Sequence, residues 1–186
     1  MSKKYTSNNL LREKVLKGAN VLADNVASTL GPRGRNVLLH KPGAKPLITK
    51  DGVTVAKFVD LSDPFENAAA QIIKQASAQT NSDAGDGTTT ATVLAREVLV
   101  QSQKYLAAGV SPVELKRGMD KAVAAIVKNL KEMATPVTSE EDVAHVATIS
   151  ANGDETIGSL ISTAIDRVGK DGAISIKDSR STETVL

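Results

Sequence analysis

The 186-residue sequence contains no cysteine and no tryptophan, and only two phenylalanines and two tyrosines. Without cysteine there is no disulfide framework, no thiolate chemistry and no cysteine-based metal site, which fits a reducing compartment. With aromatics at 2% the chain lacks the stacking platforms of single-strand binders, and a net charge of +2 is too small for a phosphate-backbone footprint, so nucleic acid is not an expected partner. No apolar run reaches the roughly 18 residues of a bilayer span. Behind Met1-Ser2-Lys3-Lys4-Tyr5-Thr6 there is neither an apolar signal core nor an Arg-rich presequence. No membrane partner is expected, and a cytoplasmic location is the default. The only two histidines, His40 and His145, have no companions that suggest a metal site and are read as structural.

What is present is a soluble, globular composition, 41% hydrophobic and 24% charged, with a core that must be built from Ala, Val, Leu and Ile. Such a core suits helix packing, and the length allows one large domain or two small ones. Asn8 or Asn9 is expected to cap a helix whose stripe is Leu11, Val15, Ala19, Leu22, Val26 and Leu30, stopped by Gly31-Pro32. Residues 36–39 and 47–49 are β-like, with Lys41 to Pro46 as a hairpin loop. An isolated hairpin is marginal in water, so it is expected to pair with something else, such as another subunit.

Asp63-Pro64-Phe65-Glu66 reads as N-cap, N1 proline and N3 acid of a helix running to about Asn81, with Phe65, Ala69, Ile72, Ile73 and Ala76 inward. A third helix is expected from about Thr88 to Ala108. A fourth follows a capping box at Ser111-Pro112-Val113-Glu114, with the stripe Leu115, Met119, Val123, Ile126, Leu130 and Met133. Four such helices can pack as a bundle-like core. Periodicity weakens at Ala134-Thr135-Pro136, which suggests a boundary. Beyond it, helices are expected from Ser139 to Ile149 and from Asp154 to Val168, the latter with Ile157, Leu160, Ile161, Ala164 and Ile165 inward. Short strands are expected at Ala173 to Ile176 and Thr182 to Leu186.

The most informative segment is Gly85-Asp86-Gly87-Thr88-Thr89-Thr90, which runs directly into a helix. Glycines let backbone approach a ligand, the first N–H groups of a helix lack internal partners, and the helix dipole favours an anion there. The threonine hydroxyls add donors. Asp86 repels phosphate directly, so its natural part is to hold a Mg2+ that bridges carboxylate and phosphate oxygens. The plainer alternative is that Asp-Gly makes a turn and Thr88 caps the helix. No Walker-type Gly-Lys-Ser/Thr is present.

Three segments then align with one family. Thr29-Leu30-Gly31-Pro32-Arg33-Gly34-Arg35-Asn36-Val37, Ile48-Thr49-Lys50-Asp51-Gly52-Val53-Thr54-Val55-Ala56 and Ala84 to Ala95 resemble amino-terminal signatures of group I chaperonins, the GroEL type. Leu115-Lys116-Arg117-Gly118-Met119-Asp120-Lys121-Ala122-Val123 and Thr148-Ile149-Ser150-Ala151-Asn152 resemble later ones, in the same order. The Lys50-Asp51-Gly52-Val53 form is similar to the bacterial and organellar group. The resemblance implies a mainly α fold with small β hairpins. Residues 1–134 would be the first segment of an equatorial, nucleotide-binding domain, and 135–186 the first segment of an α+β intermediate, or hinge, domain. The apical domain and the returning segments are absent, so the chain is expected to be the amino-terminal third of a family member.

The resemblance also implies roles. Thr29, Leu30, Gly31 and Pro32 match a helix-end loop that contacts ATP, although Gly-Pro is also a common helix stop. Lys50 matches the nucleotide-contacting set, its carbonyl helping Thr29 and Thr89 to hold a monovalent cation, K+. Asp51 matches a carboxylate near the γ-phosphate that assists hydrolysis; its local sequence alone reads as an Asp-Gly turn. Asp86 matches the Mg2+ ligand, Gly87, Thr88, Thr89 and Thr90 the phosphate-binding helix start, and Ser150 a hinge residue approaching the site. The family's main water-activating aspartate lies outside these residues.

The partners implied are like subunits in a seven-membered ring, usually doubled, a lid co-chaperonin, and non-native protein clients held by the absent apical domain. The expected function is ATP-driven protein folding by the complete ring, with the 186 residues alone a poor ATPase. The isolated chain is also expected to expose apolar surface and to aggregate or stay molten. Two rivals remain. One is a naturally truncated chaperonin-like interaction module without ATPase activity, pairing with host chaperonin subunits through the 36–49 hairpin; the other is a small Mg-nucleotide phosphotransferase, for which no acceptor-activating residue stands out.

Overall fold

Seven helices and one hairpin follow in order among the described residues: α1 (Asn8–Ala27), β1 (Val37–Leu39), β2 (Leu47–Thr49), α2 (Gly52–Phe58), α3 (Pro64–Ala84), α4 (Thr88–Ala107), α5 (Pro112–Met133), α6 (Glu140–Ser150) and α7 (Glu155–Val168). The computed structural model describes residues 4–169, 172–177, 184 and 186. The fold is mainly helical with a two-stranded sheet, as the sequence suggests. The chain divides into two compact units, residues 1–122 and 123–186, with the division inside α5.

In the first unit α1, α3 and α4 pack on one another and enclose the short α2. The core is Ala19, Leu22 and Val26 of α1, Val55 and Ala56 of α2, and Ala70 and Ile73 of α3, flanked by Ala95 and Leu99 of α4. Each large aliphatic taken fully from water contributes about 1.5–3 kcal/mol. Small residues set how near the helices come. A Cβ added to Gly18 would lie 2.0 Å from the backbone oxygen of Glu66, so α1 and α3 touch main chain to side-chain-free surface.

The capping signals at Asp63 are realised: its Oδ1 accepts from Phe65 N (2.9 Å) and Glu66 N (3.2 Å), with Pro64 at the first helical position. Lys14 of α1 donates to Asp63, and Lys17 Nζ to Glu66 Oε1 (2.8 Å), so the same turn is bolted to α1. The hairpin pairs antiparallel as Val37–Thr49, Leu38–Ile48 and Leu39–Leu47.

Several expectations are corrected. Ser7, not Asn8 or Asn9, is the N-cap of α1, and Asn8 takes a left-handed φ of 58°. Leu11 and Leu30 are exposed, because α1 ends at Ala27, before its stripe could carry Leu30 inward. On α3, Ile72 is 65% exposed, while Ala70, Ile73 and Ser77 are buried. Ser111 accepts from Val113 N (3.3 Å), but Glu114 turns to Arg117 (2.7 Å) instead of completing a box. The four-helix bundle is not formed either: α5 buries none of its residues. The seven-residue α2 was not expected at all.

In the second unit α6 and α7 form a helical hairpin. Ser139 and Asp142 make a reciprocal capping box at the start of α6, and Asp154 caps α7 through Thr156 N and Ile157 N. A Cβ on Gly158 would lie 2.0 Å from Thr148 Oγ1, and Ser162 Oγ donates to Glu140 O (2.9 Å). Small residues again form the contact, so Ile157 is left exposed where it was expected inward. Residues 172–177 carry no strand. The strand expected at Thr182 to Leu186 falls largely outside the described residues.

Candidate functional site

Three helix ends meet in the first unit. Gly85, at φ 73°, closes α3 in the left-handed conformation, and its N–H bonds Asn81 O (3.1 Å). Two residues later Gly87, at φ 79°, opens α4 as its N-cap, without any side-chain cap bond. These two angles strain any residue with a Cβ and suit glycine. Thr88 is therefore not the cap, contrary to the plainer sequence alternative. The first main-chain helical bond is Ala91 N to Gly87 O (2.9 Å), so the amides of Thr88, Thr89 and Thr90 begin a 20-residue helix with no capping side chain over them. Donors and dipole together suit an anion. Asp86 Oδ1 accepts from Gly87 N (2.6 Å) and its side chain is exposed.

The threonines divide their work. Thr88 is buried, and its carbonyl accepts from the wholly buried Thr92 hydroxyl (2.8 Å), which ties down the first turn. Thr89 Oγ1 lies 3.4 Å from Thr29 Oγ1, just beyond the end of α1. Thr29 already donates its hydroxyl proton to Val26 O (2.8 Å), so Thr89 is the donor whenever the two hydroxyls bond. Thr90 is exposed.

The loop after α1 is held by Gly34 N to Gly31 O (2.9 Å) and Arg35 N to Ser28 O (2.8 Å), and a Cβ on Gly34 would lie 2.2 Å from Thr29 O. Gly31 has φ 72°, with Leu30 and Pro32 exposed beside it. Arg96 of α4 reaches back to α1, 3.4 Å from Asp24 Oδ1 and 3.5 Å from Asn20 Oδ1, which keeps the end of α1 against α4.

Asp51 is the N-cap of α2, exposed, accepting from Thr54 N (2.8 Å) and Val53 N (3.4 Å). The turn read from Asp-Gly is thus a helix start. Its neighbour Gly52 is buried against Thr89, and this contact delivers Asp51 to the beginning of α4. Lys50 precedes it, exposed. The structure brings together Thr29, Asp51 and the 86–90 loop, with Lys50 and residues 30–32 adjoining. Ser150 belongs to the second unit, exposed at the last residue of α6.

Sequence reasoning missed Gly52, Thr54 and Thr92 as supports of this junction. Gly52 had a signal, a glycine directly after a capping acid, but the close approach that needs it is visible only in three dimensions.

Among the described residues no group of three acidic or histidine side chains gathers as a ready metal cage. His145 stands 4.0 Å from Glu141 on the exposed face of α6. His40 borders a cavity of about 760 Å3 between the hairpin loop, α2 and α3. None of the residues marked for nucleotide lines that cavity. The anion-favouring geometry is the start of α4, where Asp86, Gly87 and Thr90 are exposed.

No described helix is long and apolar enough to cross a membrane. The solved structure of a group III chaperonin in the open state is similar to this chain, with a TM-score of 0.71 and 26% identity over 85% of the chain. The chain spans 32% of the length of that protein. Residues 22–185 match the model of the TCP-1/cpn60 chaperonin family, so the chain belongs to that family.

Proposed function

We propose that these residues are the nucleotide-binding part of a group I chaperonin subunit, which binds Mg-ATP and, in a complete ring, couples its hydrolysis to the folding of non-native proteins. The group I assignment rests on the resemblance carried by Lys50-Asp51-Gly52-Val53. Residues 1–134 are assigned to the equatorial domain and 135–186 to the hinge. The observation that carries the reading is the uncapped start of α4, with Gly52, the residue after Asp51, packed on Thr89.

The residues fit a Mg-nucleotide. Asp86 commits one oxygen to Gly87 N, and Oδ2 accepts no bond from the described residues. A single carboxylate suits Mg2+, which takes its remaining ligands from phosphate oxygens and water. Bound there, the ion would offset phosphate charge. Gly87, Thr88, Thr89 and Thr90 would hold the phosphates through amides and hydroxyls, and Thr29, Leu30, Gly31 and Pro32 would line the nucleotide. Thr29, Thr89 and the Lys50 carbonyl would hold K+. Asp51 would assist hydrolysis, and Ser150 is assigned to the nucleotide-contacting set by the resemblance alone. The principal water-activating group is assigned to the returning segments, as are the ring contacts, lid co-chaperonin and client-binding surface of the whole protein.

Calorimetric titration of the full-length chain with ATP, with and without Mg2+, tests the reading. Wild type is expected to bind with Mg2+-dependent affinity, and Asp86→Ala to lose that dependence. Equal Mg2+ dependence in both would remove Asp86 from the metal site, and no ATP binding by wild type would end the nucleotide reading.

A second reading, pairing with another chaperonin subunit through the hairpin, is favoured by the exposed Leu38, Leu47 and Ile48 on a sheet of only two strands. Co-purification of the 186-residue chain with a full-length ring, abolished by Ile48→Pro, is its expected result.

A further inference from the structure

The two carboxylate oxygens of Asp51 are held unequally. Oδ2 accepts from Thr54 N (2.8 Å) and from Thr54 Oγ1 (2.5 Å), whereas Oδ1 accepts only from Val53 N, at 3.4 Å. Behind them Asp51 N donates to Thr49 Oγ1 (3.0 Å). A helix cap does not need the Thr54 hydroxyl. In the same chain Asp63 and Asp154 cap α3 and α7 with two backbone N–H bonds each, both received on Oδ1 and with no hydroxyl added.

From this asymmetry we propose that Thr54 is a positioning residue for Asp51: its hydroxyl fixes Oδ2 and leaves Oδ1 as the oxygen that orients the attacking water. The inference rests on the reading of Asp51 as a carboxylate that assists hydrolysis. An exposed aspartate rotates freely about two bonds, and a group that must meet a water at hydrogen-bond distance works only when that freedom is removed. The N–H of Thr54 fixes the height of the carboxylate over α2. The hydroxyl, from a different direction, fixes its rotation. A β-branched residue serves well here, since Thr in a helix has few χ1 states and its hydroxyl stays where the backbone puts it.

The test compares Thr54→Val, which keeps shape and removes the hydroxyl, with Thr54→Ser, which keeps the hydroxyl, each with Asp51 intact or replaced by Ala, in the full-length protein. Three quantities are read: the single-turnover rate of ATP hydrolysis, the affinity for a non-hydrolysable ATP analogue, and Tm. Thr54→Val is expected to slow hydrolysis roughly tenfold or more, the effect of losing a hydrogen bond to a charged group, with analogue affinity and Tm unchanged. Thr54→Ser restores most of the rate, and neither change matters once Asp51 is Ala.

Wild-type turnover in Thr54→Val with an inactive Asp51→Ala would overturn the role of Thr54 and leave that of Asp51 standing. Wild-type turnover in Asp51→Ala would overturn both. A slow Thr54→Val whose Tm falls in step, with no rescue by Ser, would reduce Thr54 to a support of the helix cap.

Discussion

Gly52 stands so close to Thr89 that a Cβ on its backbone would lie 2.0 Å from Thr89 Oγ1, 3.2 Å from its Cβ and 3.4 Å from its Cα. Two helix starts, those of α2 and α4, are thereby brought into contact at the one residue type that allows it. Since φ at Gly52 is not in the left-handed range, alanine would be conformationally acceptable and would gain about 0.5–1 kcal/mol of helix propensity. Overpacking costs about 1–3 kcal/mol, and here the obstacle includes the first turn of a 20-residue helix, so the clash wins. Gly52→Ala is expected to lower Tm and to weaken ATP binding more than its loss of stability explains. A raised Tm with unchanged affinity would mean that α2 and α4 tolerate separation.

The same reasoning, without a ligand, applies at Gly18, where a Cβ would stand 2.0 Å from Glu66 O and 2.9 Å from Glu66 Cα. Backbone cannot swing aside as a side chain does. Gly18→Ala should destabilise the fold by about 1–3 kcal/mol net, seen as a lower midpoint in urea. The α1–α3 seam would open at Lys14–Asp63 and Lys17–Glu66, so exchange protection should fall first in the opening turn of α3.

Such contacts explain which parts of the fold were legible. Capping chemistry is local, so Asp63-Pro64-Glu66, Ser139 and Asp154 announced α3, α6 and α7 correctly. The hairpin was equally plain from its turn residues. Facing direction was less so, because large aliphatics mark a stripe whereas the helices approach through Gly18, Ala69, Ala70 and Gly158, which a hydrophobic pattern undervalues. The helix α2 was hidden because Val53, Thr54 and Val55 favour strands, whereas the two hydrogen bonds that Val53 N and Thr54 N donate to the Asp51 carboxylate start them as a helix. At the candidate site the glycine-threonine loop was visible in sequence. Its meeting with Thr29 and Asp51, distant in sequence, needed the core to be assembled.

Acid should loosen that assembly at a specific point. The hydrogen bond from Lys14, aided by those from the Glu66 and Phe65 amides, lowers the Asp63 carboxyl from its ordinary 3.8 to about 2. A carboxylate with a depressed folded-state pKa contributes stability that is complete above the unfolded value and is lost as pH falls toward the folded one. Stability is therefore expected to decline between about pH 4 and pH 2, and Asp63→Asn to flatten that part of the profile while lowering stability at neutral pH. The Asp142 carboxyl, lowered chiefly by the backbone bond from Ser139, acts in the same direction in the second unit. An unchanged acid limb in Asp63→Asn would assign the loss to other carboxylates.

The fate of α5 gives a prediction for the chain as a whole. Met119, Val123, Ile126, Leu130 and Met133 repeat at alternating intervals of four and three, the spacing of a helix face meant to be covered, yet Ile126 is 55% and Leu130 58% exposed. The chain spans 32% of the length of the matched chaperonin, and in a subunit of that length further segments are expected to cover the stripe. In the 186-residue chain, Ile126→Glu with Leu130→Glu should suppress self-association in sedimentation velocity without loss of helix content, since glutamate is a good helix former. In the full-length protein the same pair should do the opposite, burying two charges against apolar surface and preventing cooperative folding. Association unchanged in the short chain would remove the α5 stripe as the adhesive surface and turn attention to other exposed apolar groups, among them Leu38, Leu47 and Ile48 on the two-stranded sheet.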